Sequence, residues 1–162
     1  MNHALRIGHG WDSHRLVAGR PLWLAGVEVP HSHGLDGHSD ADVVLHALVD
    51  ALLGAAGLGD IGTLFPDTDP SHRNAASSGF VNEAVRQVGQ HGWQVVNVDI
   101  TVVAQAPKLA PYKAAMRACV AELLQVQAEA VNIKAKTAEG LGPVGQSQSM
   151  EAHVVLLLAQ AG

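Results

Sequence analysis

The sequence predicts an α+β fold, a mixed β-sheet with helices packed on one face and a short β-hairpin beside it. Three observations lead there. Stretches with apolar residues at helical spacing lie between runs rich in β-branched residues. The long elements run in the order strand, helix, helix, strand, helix, strand, strand, which suits helices layered on a mixed sheet. No repeat, low-complexity tract or linker interrupts the 162 residues, so residues 1–162 read as one domain.

Each element has a local reason. Leu5–Gly10 has the composition of a strand and runs on into Trp11–His14. Pro21–Val29, with Ala25 and Gly26 inside it, reads as a short hairpin or a bent strand. Ser39 suits an N-cap, with Asp42 three residues later near the first-turn N–H groups. Val43, Leu45, Leu48, Leu52 and Leu53 then repeat at helical spacing as far as Gly57. Leu58–Ser78 is rich in Gly, Asp, Pro and Ser and longer than a connection needs. A helix follows over Gly79–His91, stopped by Gly92. Trp93–Gln105 carries Val95, Val96, Val98, Ile100, Val102 and Val103 and reads as a largely buried strand. Pro111 opens a helix that runs through Leu124. Val131–Thr137 is a strand, Ala138–Ser147 a glycine-rich loop and Met150–Leu158 a last strand.

Composition narrows the function. Hydrophobic residues make up 48% and charged residues 15%, which excludes disorder and leaves little charge to cover a monomer's surface. A formal charge of −5 argues against a nucleic-acid binder. The single cysteine, Cys119, sits in an apolar helical pattern and reads as a core residue, with no disulfide or cysteine-rich zinc site in reach. Met1–Arg6 has no apolar signal core, and the longest apolar stretch, Val43–Leu58, contains His46 and Asp50. A soluble cytoplasmic protein without membrane contact is the expectation. There are ten histidines. His3, His31, His72 and His91 stand in polar or glycine-flanked contexts and read as surface residues. His9, His14, His33, His38 and His46 cluster early, and that clustering points to chemistry.

Five groups of residues bear on it. In an extended segment Asp12 and His14 point to the same side, and His46 can join them from the helix. One carboxylate and two imidazoles make a three-ligand site for Zn²⁺ or a similar ion with a fourth position open, and Asp42 or Asp50, a turn either side of His46, can orient its ring. The same residues also read as a surface Asp-x-His beside an unrelated core histidine. Gly37–Asp40 places His38 and Ser39 at the start of a helix, where N–H groups suit phosphate oxygens, or where they simply cap. Leu58–Gly62 and Phe65–Pro70 read as a lid with Asp60 facing ribose hydroxyls, or as a solvated loop. Ala104–Leu109, between a strand and a proline-started helix, offers backbone groups to a base edge and Lys108 to a phosphate. Lys134–Glu139 ends a strand, and Thr137 and Glu139 there suit a phosphoryl oxygen and a second divalent ion.

Taken together and in this order, these blocks resemble the 2-C-methyl-D-erythritol 2,4-cyclodiphosphate synthase family, from about Leu5 to Leu158. The resemblance rests on RIGHGWDSH (Arg6–His14), HSDADVVLH (His38–His46), LGDIG (Leu58–Gly62), FPDTD (Phe65–Asp69), AQAPK (Ala104–Lys108) and TAE (Thr137–Glu139). It implies a bacterial homotrimer with active sites at subunit interfaces, acting on a cytidine-diphosphate substrate and releasing CMP. Asp12, His14 and His46 are implied to hold Zn²⁺, and Glu139 to hold Mg²⁺ or Mn²⁺ with the substrate diphosphate. His38 and Thr137 are implied to stabilise the transition state. Asp60, Ile61 and Gly62 fall at the ribose, and Ala104, Gln105, Ala106, Pro107, Lys108, Leu109 and Ala110 at the cytosine. Ser13, Ser39, Phe65, Pro66, Asp67, Thr68, Asp69, Lys136 and Ala138 complete the implied substrate-binding set.

Four positions depart from the family pattern. Lys136 stands where a small hydroxyl residue is common and adds a possible phosphate contact. Pro143, Gln146 and His153 stand where an aromatic, an arginine and a glutamate often occur. In relatives the last two help line a cavity on the trimer axis that can hold an isoprenoid diphosphate, and here those charges are missing. Two other readings remain at the level of sequence: a metal-dependent phosphohydrolase, which the same ligands would serve, and a trimeric metal- or isoprenoid-binding protein without catalysis.

Overall fold

Glycine at positions 8 and 10 decides how the sheet meets its first helix. The computed structural model describes residues 4–162. In it β1 (Leu5–Ala18) turns Gly8 and Gly10 toward α1 (Val43–Ala56). A Cβ at Gly8 would lie 2.0 Å from the Ala51 carbonyl oxygen, and one at Gly10 1.7 Å from that of Ala47. Only glycine permits this approach, so helix backbone rests on strand backbone.

The remaining strands are β2 (Leu22–Leu24), β3 (Val27–Val29), β4 (His33–Leu35), β5 (Trp93–Val103), β6 (Val131–Lys136) and β7 (Ser149–Gln160). Five of them form one mixed sheet in the order β4-β1-β7-β5-β6, and β2 and β3 form a separate hairpin. Among the described residues only the β5–β6 pair is parallel. The helices α3 (Ser77–Gln90) and α4 (Lys113–Leu124) join α1 over the sheet. The core lies between these layers: Met150, Ala152, Val154, Leu156 and Leu158 alternate along β7, and Val98, Ile100 and Val102 along β5. Buried leucines of α1 meet them, among them Leu45, Leu48, Leu52 and Leu53. The other face of the sheet is open, with Ile7 78%, Val155 51% and Trp11 50% exposed.

Several expectations change here. β5 is buried on one face only, because the sheet carries helices on one side, and an irregularity between Val95 and Asn97 interrupts its pairing with β7. Asp42, not Ser39, caps α1: its carboxylate accepts from Leu45 N–H at 3.0 Å. Fully buried, the same carboxylate accepts from Ala25 N–H at 2.9 Å and Gly26 N–H at 2.7 Å, which ties the hairpin turn to the helix start. The 58–78 stretch is not bare loop. It holds α2 (Ile61–Leu64) and a 3₁₀ turn over Pro70–His72, and α3 starts at Ser77. Pro111 lies in a 3₁₀ turn ahead of α4 rather than in its first turn. The loop after β6 contains α5 (Gly142–Gly145). Cys119 is half-buried, against Gly26. His3 lies outside the described residues.

Candidate active site

The two-residue period of β1 sends Asp12 and His14 to the side where Gly10 admits α1, and α1 delivers His46 beside them. Asp12 Oδ2 lies 3.0 Å from His14 Nδ1 and 3.2 Å from His46 Nδ1. One ligand atom from each of the three residues falls within 4.8 Å of the others. Asp12 Oδ2 and His14 Nδ1 are buried yet make no properly aligned hydrogen bond, although they are close. Buried polar atoms are rarely left so. Lone pairs aimed at a common point rather than at each other account for it, and the donor set of one carboxylate oxygen and two imidazole nitrogens suits a divalent transition metal with a position left open. Burial pushes the Asp12 carboxyl up, but the neighbouring His14 and His46 outweigh this and hold it at about 2.

The far side of His46 is fixed by residues that periodicity does not reveal. Its Nε2 lies 2.9 Å from Ser77 Oγ and 3.0 Å from Ser39 Oγ. Ser77 Oγ donates to Asp40 Oδ1, and Asp40 Oδ2 accepts from Ser77 N–H at 3.1 Å. With its hydroxyl proton on Asp40, Ser77 is an acceptor toward the ring. His46 then carries its proton on Nε2 and turns the Nδ1 lone pair to the metal position. Neither Asp42 nor Asp50 orients the ring. Asp42 is taken up by the cap, and Asp50 Oδ1 accepts from Ile61 N–H at 2.8 Å, pinning α2 to α1.

The two histidines of the triad line a cleft of about 530 Å³. His14, Gly37, His38, Ser39 and His46 form one wall, and Ile61, Gly62, Phe65, Pro66, Asp67, Thr68, His72 and Phe80 the other. His72 is therefore no plain surface residue. Its ring stands edge-on to Phe65 and Phe80, 5.6 and 5.5 Å away between centroids, and its Nδ1 lies 3.0 Å from the Pro66 carbonyl oxygen. Asp60 and Asp69 line no part of this cleft; their carboxylates accept from Thr63 N–H and Ser71 N–H as caps of the short helical turns.

Most of the remaining site residues lie in a second cleft of about 440 Å³. Ala104, Gln105, Ala106, Pro107, Lys108, Leu109 and Ala110 face Lys136 and Thr137 across it, joined by Lys113 and Ala135. Ala138 and Glu139 follow at its edge, where Glu139 N–H donates to Thr137 Oγ1 at 3.2 Å and Gly140 N–H to Gln105 Oε1 at 3.2 Å. The two clefts share no residue. Ser13 belongs to neither; it lines a third depression with Arg15, His33 and Pro143.

A match to the YgbB family spans residues 5–159. The chain belongs to the YgbB family. A 2-C-methyl-D-erythritol 2,4-cyclodiphosphate synthase of Bordetella petrii is 57% identical over 161 residues, 99% of either chain. A solved structure described as 2C-methyl-D-erythritol-2,4-cyclodiphosphate synthase in a CDP-bound form shares 42% identity, covers 94% of this chain and 99% of that one, and superposes with a TM-score of 0.88. The bifunctional IspDF of Campylobacter jejuni matches at 42% identity and TM-score 0.95, over 98% of this chain but 43% of that one.

Within this YgbB chain, the sequence pattern picked out the triad and both cleft-lining loops, but missed the parts played by His72, Ser77 and Phe80. Only Phe80 carried a signal, an aromatic near the start of an amphipathic helix facing the long Gly/Pro/Asp run. Ser77 sits 31 residues from the histidine it supports.

Proposed function

We propose that this chain converts 4-diphosphocytidyl-2-C-methyl-D-erythritol 2-phosphate to 2-C-methyl-D-erythritol 2,4-cyclodiphosphate, releasing CMP, the ring-closing step of the non-mevalonate route to isoprenoid precursors. The observation that carries this is the convergence of Asp12, His14 and His46, with both histidines on the wall of an open cleft and two buried ligand atoms, Asp12 Oδ2 and His14 Nδ1, without an aligned hydrogen bond. Family membership and the synthase names of full-length relatives point the same way.

Asp12, His14 and His46 would hold Zn²⁺, and Glu139 Mg²⁺ or Mn²⁺ with the substrate diphosphate; such cations draw charge from phosphoryl oxygens and steady the departing phosphate. An oxygen of the substrate's own 2-phosphate attacks the β-phosphorus. The bond from that phosphorus to the oxygen bridging it to the α-phosphorus breaks, and CMP leaves with the bridging oxygen. The product ring has eight members. No protein nucleophile is needed, so the protein's task is to hold both ends of one molecule in line, worth on the order of 7–11 kcal/mol at best. His38, exposed at the cleft mouth, and Thr137 donate to the charge that develops on the phosphoryl oxygens. Ala104–Leu109 present backbone groups to the cytosine, with Lys108 and Lys136 nearby for phosphate. Ile61 and Gly62, with Asp60 beside them, take the ribose, and Phe65–Thr68 close over the cleft with Asp69 capping the turn behind them.

A single chain offers the metal half and the nucleotide half as separate clefts, and its sheet leaves Ile7, Trp11 and Val155 open. Both features support a homotrimer in which the metal half of one subunit faces the nucleotide half of the next, a heterologous ring contact. A cytoplasmic setting fits, since no helix is long and apolar enough to cross a membrane among the described residues. The deciding experiment is incubation with the cytidine-diphosphate substrate and Mg²⁺, followed by phosphorus NMR. CMP and one cyclic diphosphate are expected; inorganic phosphate or two open products would make the chain a phosphohydrolase instead.

A further inference from the structure

We infer that Arg20 is a positioning residue for the His38 segment. Arg20 lies in the turn after β1, outside every block that carries the family resemblance. Its Nη1 donates to the Gly37 carbonyl and its Nη2 to the Ser39 carbonyl, each at 2.9 Å. One planar guanidinium thus spans the two carbonyls that flank His38. The third carbonyl of the run, that of His38 itself, accepts from Asn74 N–H at 2.6 Å. Three successive carbonyls are tied down while the His38 side chain stays exposed at the cleft. The segment has little regular structure of its own, since β4 ends at Leu35 and α1 begins at Val43. Its shape is set from outside.

The anchor is itself fixed. Gly34 of β4 packs so tightly on the turn that a Cβ there would stand 2.5 Å from the Arg20 carbonyl oxygen and 2.3 Å from that of Pro21. Asp36 Oδ1 lies 3.6 Å from Arg20 Nη1 and helps hold the guanidinium. A lysine cannot replace this contact, because one ammonium lacks the rigid fork that reaches two acceptors at fixed separation. The metal side does not depend on this clamp: His46 Nε2 meets the Ser39 hydroxyl at 3.0 Å but also that of Ser77 at 2.9 Å, which Arg20 does not touch.

The inference rests on the proposed role of His38, and a double-mutant cycle on the full chain separates the two. Arg20→Ala is expected to lower kcat about 10- to 100-fold, the scale of a misplaced catalytic group, with KM and bound zinc little changed. In a His38→Ala background the same change should cost no more than about twofold, because the group it positions is gone. Arg20→Lys should fall between wild type and Arg20→Ala, and it carries the cycle if the alanine variant loses its melting transition. A fully active Arg20→Ala, or a loss that multiplies unchanged onto that of His38→Ala, overturns the inference while leaving His38 in place. A fully active His38→Ala removes the reading of His38 and this inference with it.

Discussion

Ser77 and His46 are 31 positions apart in sequence, yet Ser77 Oγ stands 2.9 Å from His46 Nε2, with Asp40 behind the hydroxyl. The contact joins the start of α3 to the first turn of α1 and settles which ring nitrogen of His46 is free. Ser77→Ala leaves the three metal ligands untouched but removes the acceptor that fixes the tautomer. Zinc affinity should drop about 10- to 100-fold, read by competition with a coloured chelator. Unchanged affinity would mean that Ser39 alone orients the ring.

Gly10 is the second test of how the site is built. Its Cβ would stand 1.7 Å from the Ala47 carbonyl oxygen, a backbone atom next to His46 that cannot step aside. Gly10→Ala should destabilise the fold by about 3 kcal/mol, the upper range for overpacking. For a chain of this size that is a fall in Tm of roughly 6–12 °C. Thermal unfolding followed by circular dichroism reads it, and a shift under 2 °C (about 0.5–1 kcal/mol at most) would show that the helix can move away freely.

The shared site can be tested by mixing. His46→Ala lacks a metal half, and Thr137→Ala combined with Lys108→Ala lacks a nucleotide half. Refolded together in equal amounts, random trimers should regain about a quarter of wild-type activity, because each site needs two intact halves, each present half the time. Recovery near zero, with mixed trimers seen by native mass spectrometry, would place each site within one chain.

Much of this was legible beforehand and some was not, for physical reasons. The α+β class, the hairpin and the long elements follow from periodicity, and the Asp12–His14 pair from the two-residue period of a strand. β4 escaped notice because His33–Leu35 is three residues long and carries no alternation. Ser39 looked like the cap of α1 since serine favours that role, but Asp42 sits nearer the helix and reaches three N–H groups at once. Ser77 and Arg20 act through tertiary contacts alone, and no local pattern marks such residues.

The stretch between α2 and α3 should behave as a lid. Asp67 and Thr68 line the cleft, His72 reaches it from the 3₁₀ turn, and Asp50 pins only the near end through Ile61. Binding of CDP with Mg²⁺ should slow amide exchange over residues 67–76 by about tenfold or more, with little change in the sheet. Equal exchange with and without nucleotide would reduce the segment to a plain connection.

The buried carboxylate of Asp42 has a consequence for how the protein opens. Helix ends ordinarily fray, and their first amides exchange with solvent long before the molecule unfolds. Here the end of α1 nearest His46 is bound to the hairpin turn at Ala25 and Gly26 through a side chain with no exposure at all. Loosening that end means pulling the hairpin with it. The helix turn that bears His46 should therefore resist fraying as an ordinary helix end does not.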